Sequence, residues 1–276
     1  MRQRIESRIR KQIRRRQHRR PDLGQAVRRY ERPGLPFAQA LHALATDPAA
    51  YWDTRREIAG LLAPWDGGEA TLCLLAQFFE LSGSDELYQM ALILERSDDA
   101  RALQPLIGAL EDGDPGRRRA AARALGWMRK AGTRAVIPLA HLLTDASQPV
   151  EVREEAAESL ANSRSKTAIP ALVSTLSDPY VGVRFWSVFA LGGVSQFLKP
   201  GRPERRAAVE ALESMLADEA VPPGNWWSVG RESLAMLAKF HVREKQFEDQ
   251  TAREIRRIMD DPAASPEDRR WAECYG

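Results

Sequence analysis

Residues 168–193 read AIPALVSTLSDPYVGVRFWSVFALGG. Ile169, Leu172, Val173 and Leu176 recur at i, i+3, i+4 and i+7, which places them on one face of a first helix. Ser177, Asp178 and Pro179 break that pattern. A second helix is expected over Val183 to Leu191, stopped by Gly192-Gly193. Two short amphipathic helices cannot bury both apolar faces alone, so copies of the unit are expected beside it.

The copies lie on both sides. The last leucine of the second helix recurs at Leu94, Leu125, Leu160 and Leu191, with separations of 31, 35 and 31 residues. A proline recurs in the first helix at Pro105, Pro138 and Pro170. An arginine opens the second helix at Arg118, Arg153 and Arg184. Two helices per repeat and a period in the low thirties imply an α-solenoid.

The segments LQPLIGALEDGDPGRRRAAARALG (103–126), VIPLAHLLTDASQPVEVREEAAESLA (136–161) and IPALVSTLSDPYVGVRFWSVFALG (169–192) resemble HEAT repeats, of the short bacterial kind also found in phycobilin lyases. The resemblance implies an all-α, right-handed superhelix of about five helical hairpins with helical caps. It also implies a ladder in which a turn aspartate and an arginine six residues later tie one repeat to the next. Asp112 with Arg118 and Asp178 with Arg184 carry that spacing. The middle repeat departs: Ser147 stands six residues before Arg153, and Asp145 comes two residues too early.

Around this centre the chain divides by composition. Residues 1–35 form a basic arm and connector, and 36–68 an N-terminal helical cap. Residues 69–193 hold the clear repeats, and 194–243 a degenerate one in which Pro222-Pro223-Gly224 enlarges the turn before a helix from Trp226 to Phe240. Residues 244–276 make a C-terminal cap whose last helix would open at Ser265-Pro266. Residues 1–32 hold thirteen Lys or Arg against three Asp or Glu. The chain's formal charge of +3 is therefore about +10 on the arm and −7 on the body. Ile5, Ile9 and Ile13 make a thin apolar stripe on an otherwise basic cylinder. The arm reads either as a solvated tail or as a surface for nucleic acid, anionic lipid or an acidic protein. No apolar run reaches the roughly 18 residues of a membrane span. No apolar stretch follows the basic start, so no secretory leader is expected. Cys73 and Cys274 show no pairing or metal spacing, which fits free thiols in the cytoplasm.

No nucleotide-binding, serine-hydrolase or zinc-protease motif occurs, and His18, His42, His141 and His241 are scattered. No catalytic residue, metal or cofactor is therefore assigned. The informative positions are those where matching repeats disagree. Counting the second-helix arginine as zero, positions +3, +4 and +7 are mostly small or apolar in every copy. Positions +1, +2 and +5 share one helical face and differ. They hold Arg119, Ala120 and Arg123, then Glu154, Glu155 and Glu158, then Phe185, Trp186 and Phe189. Trp127 lies near the basic set, and Tyr88 and Leu92 occupy the matching positions one repeat earlier. In HEAT-like solenoids the second helices line the concave side. The resemblance therefore implies a groove with basic, acidic and aromatic rungs, suited to a protein partner. Two other readings share the fold. One is a lyase or chaperone resembling the phycobilin lyases. The other is a nucleic-acid protein resembling the alkylpurine DNA glycosylases, for which Arg119, Arg123 and Trp127 supply fragments and the glutamates an objection.

Overall fold

The computed structural model describes residues 2–17, 22–33, 36–63, 68–129, 132–225, 227–244, 249–262, 264, 269–270 and 272–273. His18, Trp226, Ser265, Pro266, Cys274 and the side chains of Ile5 and His241 lie outside them. Among the described residues the chain is helical and contains no strand. It is an all-α solenoid of stacked helical hairpins, in two compact units, Met1–Gly132 and Thr133–Gly276.

The first unit opens with α1 (Arg2–Gln17) and α2 (Asp22–Tyr30). Three hairpins follow: α3 (Phe37–Thr46) with α4 (Trp52–Leu62), α5 (Glu69–Glu80) with α6 (Ser84–Ser97), and α7 (Leu103–Ala109) with α8 (Pro115–Trp127). The second helices α4, α6 and α8 stack in that order. Between the two layers Leu41, Ile58, Leu74, Phe78, Leu87 and Leu94 are fully buried. Each such side chain contributes about 1.5–3 kcal/mol of burial. Asp114 accepts the Gly116 N–H at 2.9 Å, and Pro115 takes the first helical turn of α8. This cap satisfies a donor that the helix itself leaves unpaired.

The second unit repeats the plan: α9 (Val136–Thr144) with α10 (Val150–Ala161), α11 (Ile169–Ser174) with α12 (Val181–Ser195), and α13 (Pro203–Ser214) with α14 (Val229–Glu244). Helices α10, α12 and α14 stack, and α15 (Asp249–Asp260) packs on α14. Ile255 of α15 is buried with Leu234, Ala238 and Ala272, and Leu216 and Ile258 pack against this group. The recurrent prolines fall in the first turn of α7, α9 and α11. An N–H is dispensable there and the fixed φ suits a helix, so they start helices without kinking them.

Helix boundaries differ from the sequence reading in α12 and α14. Gly192-Gly193 does not stop α12, which runs on to Ser195. A methyl group on Gly192 would stand 2.4 Å from the Met236 side chain, and one on Gly193 would stand 3.1 Å from the Ala161 carbonyl oxygen. The glycines admit α14 and α10 at close range. That close packing offsets the roughly 0.5–1 kcal/mol that a mid-helix glycine costs. The partner helix of the last hairpin starts at Val229 rather than Trp226. Ser228 Oγ accepts the Arg231 N–H at 3.2 Å and caps it, while Val229 and Gly230 donate back to the carbonyls of Ala220 and Asp218.

The basic arm is a packed helix over Arg2–Gln17. Ile9 and Ile13 are buried where α1 meets α2, whose Leu23 and Val27 are buried as well. Tyr30 of α2 donates a hydrogen bond to the Asp47 carboxylate in the turn after α3. That bond holds the Asp47 carboxyl below its usual range and raises the Tyr30 hydroxyl.

Candidate functional site: the second-helix faces

Of the arginines that open the second helices, Arg153 and Arg184 tie their repeats to the next. Arg153 is 3% exposed. Its Nε donates to the Leu143 carbonyl at 3.0 Å, and a terminal nitrogen donates to the Asp178 carboxylate of the following repeat. Arg184 acts the same way, with Nε 2.8 Å from Asp218 Oδ2 and Nη1 2.8 Å from the Asp178 carbonyl oxygen. The ladder expected of Asp178 and Arg184 therefore joins each of them to a different repeat. The carboxylate of Asp178 faces the arginine before it, and only its main-chain oxygen faces Arg184. Arg118 likewise bonds the Asp112 carbonyl oxygen at 2.7 Å, while the Asp112 carboxylate takes Arg117 at 2.9 Å. Spacing within one repeat cannot show this, because Arg184 reaches the backbone of its own turn and the carboxylate of the next. Asp145, which comes early, is spent on its own turn. Ser147 and Gln148 donate to it and hold its carboxyl down to about 2.

One rung escaped the sequence reading. Arg55 is the fourth residue of α4, as Arg153 is of α10, and is fully buried. Its Nε donates to the Ala45 carbonyl at 3.1 Å, and a terminal nitrogen donates to Gln77 of the following hairpin. The same place in each helix was the signal, and the Gln in place of Asp concealed it.

In the first unit the second-helix face carries an aromatic and cationic cluster. The Arg123 guanidinium carbon lies 3.6 Å from the Trp127 ring centre and 5.7 Å from that of Tyr88. Its Nε is 3.6 Å from Glu95 Oε2. Arg119 is exposed, 6.0 Å from the Tyr88 ring. Such stacking is worth about 0.5–2 kcal/mol, more as water is excluded. Burial pushes the Glu95 carboxyl up, against the opposing pull of Arg123. Glu95 was not singled out from sequence, although it continues the face of Tyr88 and Leu92 by one turn. Beside the cluster a cavity of about 380 Å³ is lined by Ser84, Asp85, Tyr88, Gln89, Gly116 and Arg119.

In the second unit the face is more closed than the sequence suggests. Phe185 is 4% exposed and Glu155 is 5% exposed, so neither presents an outward surface. A middle helix of a solenoid is flanked by its own first helix and by the second helices before and after it. The buried arc is therefore wider than the one face that periodicity marks. Glu154, Glu158, Trp186 and Phe189 remain half-buried. Trp186 stands edge-to-face between Phe185 and Phe189, with ring centres 5.5 and 5.6 Å away at 87° and 86°. Buried Phe185 supports the half-exposed Trp186 ring, which in turn meets Phe189. Glu154 leans on the start of α12: a methyl group on Gly182 would lie 1.7 Å from Glu154 Oε1. A carboxylate there meets the positive end of the helix dipole.

Among the described residues no three His, Cys, Asp or Glu side chains group as metal ligands. No helix among them is long and apolar enough to cross a membrane.

Comparison with known proteins places these features in a family. Of solved structures, a mutant of the karyopherin Kap121p is similar over 87% of this chain at 12% identity, with a TM-score of 0.58. The chain spans 29% of that karyopherin's length. An engineered protein (19% identity, TM-score 0.45) covers 87% of this chain and 94% of its own. A designed armadillo repeat protein (17% identity, TM-score 0.44) covers 86% and 97%. No curated protein matches the sequence. The family model for HEAT repeats matches residues 74–151 and 146–224, more than half of the chain. With the stacked hairpins and the arginine ladder in place, the chain belongs to the HEAT-repeat family.

Proposed function

We propose that this protein is a non-enzymatic scaffold that holds a segment of a protein partner against its second helices. The observation that carries the reading is the half-exposed pair Trp186 and Phe189 on the second-helix face of α12, braced by buried Phe185 and flanked on α10 by Glu154 and Glu158. Aromatic side chains held rigid by neighbours lose little entropy on binding and dominate interaction hot spots. The glutamates would set the register and favour a partner with basic residues beside an apolar anchor. Arg119, Arg123 and Trp127 form the corresponding surface of the first unit and would take acidic or aromatic groups.

The test is a pull-down from the native cell with wild type and Trp186→Ala, followed by titration of the captured partner. Trp186→Ala should weaken binding by about 2 kcal/mol or more, and Phe189→Ala by less. Equal affinity of wild type and Trp186→Ala for that partner removes α12 from the binding surface.

A further inference from the structure

Helix α1 has two faces with different environments. Ile9 and Ile13 on the inner face are buried. The flanking arginines are engaged: Arg10 bonds Glu31 at 2.6 Å and lies 3.8 Å over the Phe37 ring, and Arg16 pairs with Glu57. The outer face carries Arg4, Arg8, Lys11 and Arg15, all exposed, with exposed Arg14 beside them. At 100° per residue these four fall within about 60° of arc, and they extend along about 16 Å of helix. Among the described residues no carboxylate pairs with any of them.

We infer that this outer face of α1 binds the phosphate backbone of a nucleic acid, independently of base sequence. The row offers one cation per turn of helix, about every 5 Å, and a nucleic-acid strand keeps a phosphate within reach of each. Arginine predominates, and its planar fork matches a phosphate with two hydrogen bonds. A lipid surface fits less well. A helix lying in a membrane inserts its apolar face, and Ile9 and Ile13 of α1 are consumed by packing on their own chain. The inference does not depend on the protein-binding role proposed for the second helices, because it uses a different surface.

The experiment uses the full chain and fluorescence anisotropy with a labelled 20-base-pair DNA duplex and a 20-nucleotide RNA, from 50 to 200 mM salt. Log affinity should fall linearly with log salt, with a slope of about −4 on the duplex, as expected for four to five phosphates at about 0.9 each. The triple variant Arg8→Gln/Lys11→Gln/Arg15→Gln keeps the isoleucines and both flanking ion pairs. It should reduce the slope by about 2.7 and the affinity at 100 mM salt by at least about tenfold. The variant Arg4→Lys/Arg8→Lys/Arg15→Lys should retain the slope, which separates loss of charge from loss of fold. No binding by wild type at 50 mM salt overturns the inference. So does an unchanged slope in the triple variant. Competition by polyglutamate as effective as competition by polyphosphate points to an acidic protein and overturns it. Tighter binding to vesicles with 30% phosphatidylserine than to either nucleic acid overturns it as well.

Discussion

The paired helices α6/α8 of the first unit and α10/α12 of the second are built in the same register, yet their outer faces differ. Tyr88 and Glu154 occupy equivalent places, each six residues before the last packed leucine, Leu94 or Leu160. Gly116 and Gly182 are each the second residue of the following helix. In the second unit the Glu154 carboxylate fills the space over Gly182. In the first, Tyr88 does not reach over Gly116, and the cavity of about 380 Å³ lies there instead. The buried layer repeats because each hairpin must seat on its neighbour. The layer facing away from that contact is free to diverge, so recognition of a partner can change from repeat to repeat while the fold is kept.

The ladder gives the sharpest contrast. Arg153 and Asp178 form a pair whose side chains are only 4% and 7% exposed, whereas Arg118 bonds carbonyl oxygens at a half-exposed site. Arg153→Ala leaves a buried carboxylate without its opposing charge and should lower stability by about 4 kcal/mol in urea unfolding. Arg118→Ala should cost about 1.5 kcal/mol. Equal losses would mean that the two arginines play equivalent parts.

Two glutamates, Glu232 buried and Glu95 half-buried, extend the comparison to pH. Burial pushes up the carboxyls of Glu232 in the second unit and Glu95 in the first. A carboxyl raised in the folded state binds more protons folded than unfolded. Its contribution is fully present below its ordinary value near 4.5 and is lost as pH rises through the raised one. Thermal stability of the wild type should therefore decline as pH rises above the ordinary carboxyl value near 4.5. Glu232→Gln should flatten that decline. Glu95→Gln should flatten it less, because Arg123 stands beside the charge. An unaltered slope in Glu232→Gln would remove this group from the pH response.

The smallest effect is expected in one unit and not in the other. A methyl group on Gly116 meets nothing closer than 3.4 Å, so Gly116→Ala should stabilise by about 0.5 kcal/mol through helix propensity. Gly182→Ala must displace the Glu154 carboxylate from the start of α12, and the gain should vanish. The measurement is the urea midpoint of each single variant. A gain at Gly182 equal to that at Gly116 would show that Glu154 contributes nothing there.

Much of the architecture was legible in the residues. The recurring leucines, the first-turn prolines and the arginine at the fourth position of α8, α10 and α12 mark the hairpins, because helix formation and capping act over three or four residues. Glycine was the misleading signal. Gly192 and Gly193 resemble a helix stop, yet they serve close packing of helices 31 or more residues away in sequence. The candidate site was legible in part. Trp186, Phe189, Arg119 and Arg123 lie on the expected face with surface to offer, while Phe185 and Glu155 are buried by neighbouring repeats.

The sequence alone determined that this chain is a helical array of HEAT-like repeats, since period, turn residues and apolar spacing are local or recur at fixed intervals. Only the tertiary structure decided which partner each ladder arginine takes, which outer positions remain exposed, and that α1 buries Ile9 and Ile13 while presenting a row of cations. These outcomes depend on how one hairpin is rotated and seated on the next. That geometry comes from the summed packing of residues far apart in the chain, and no spacing within a single repeat encodes it.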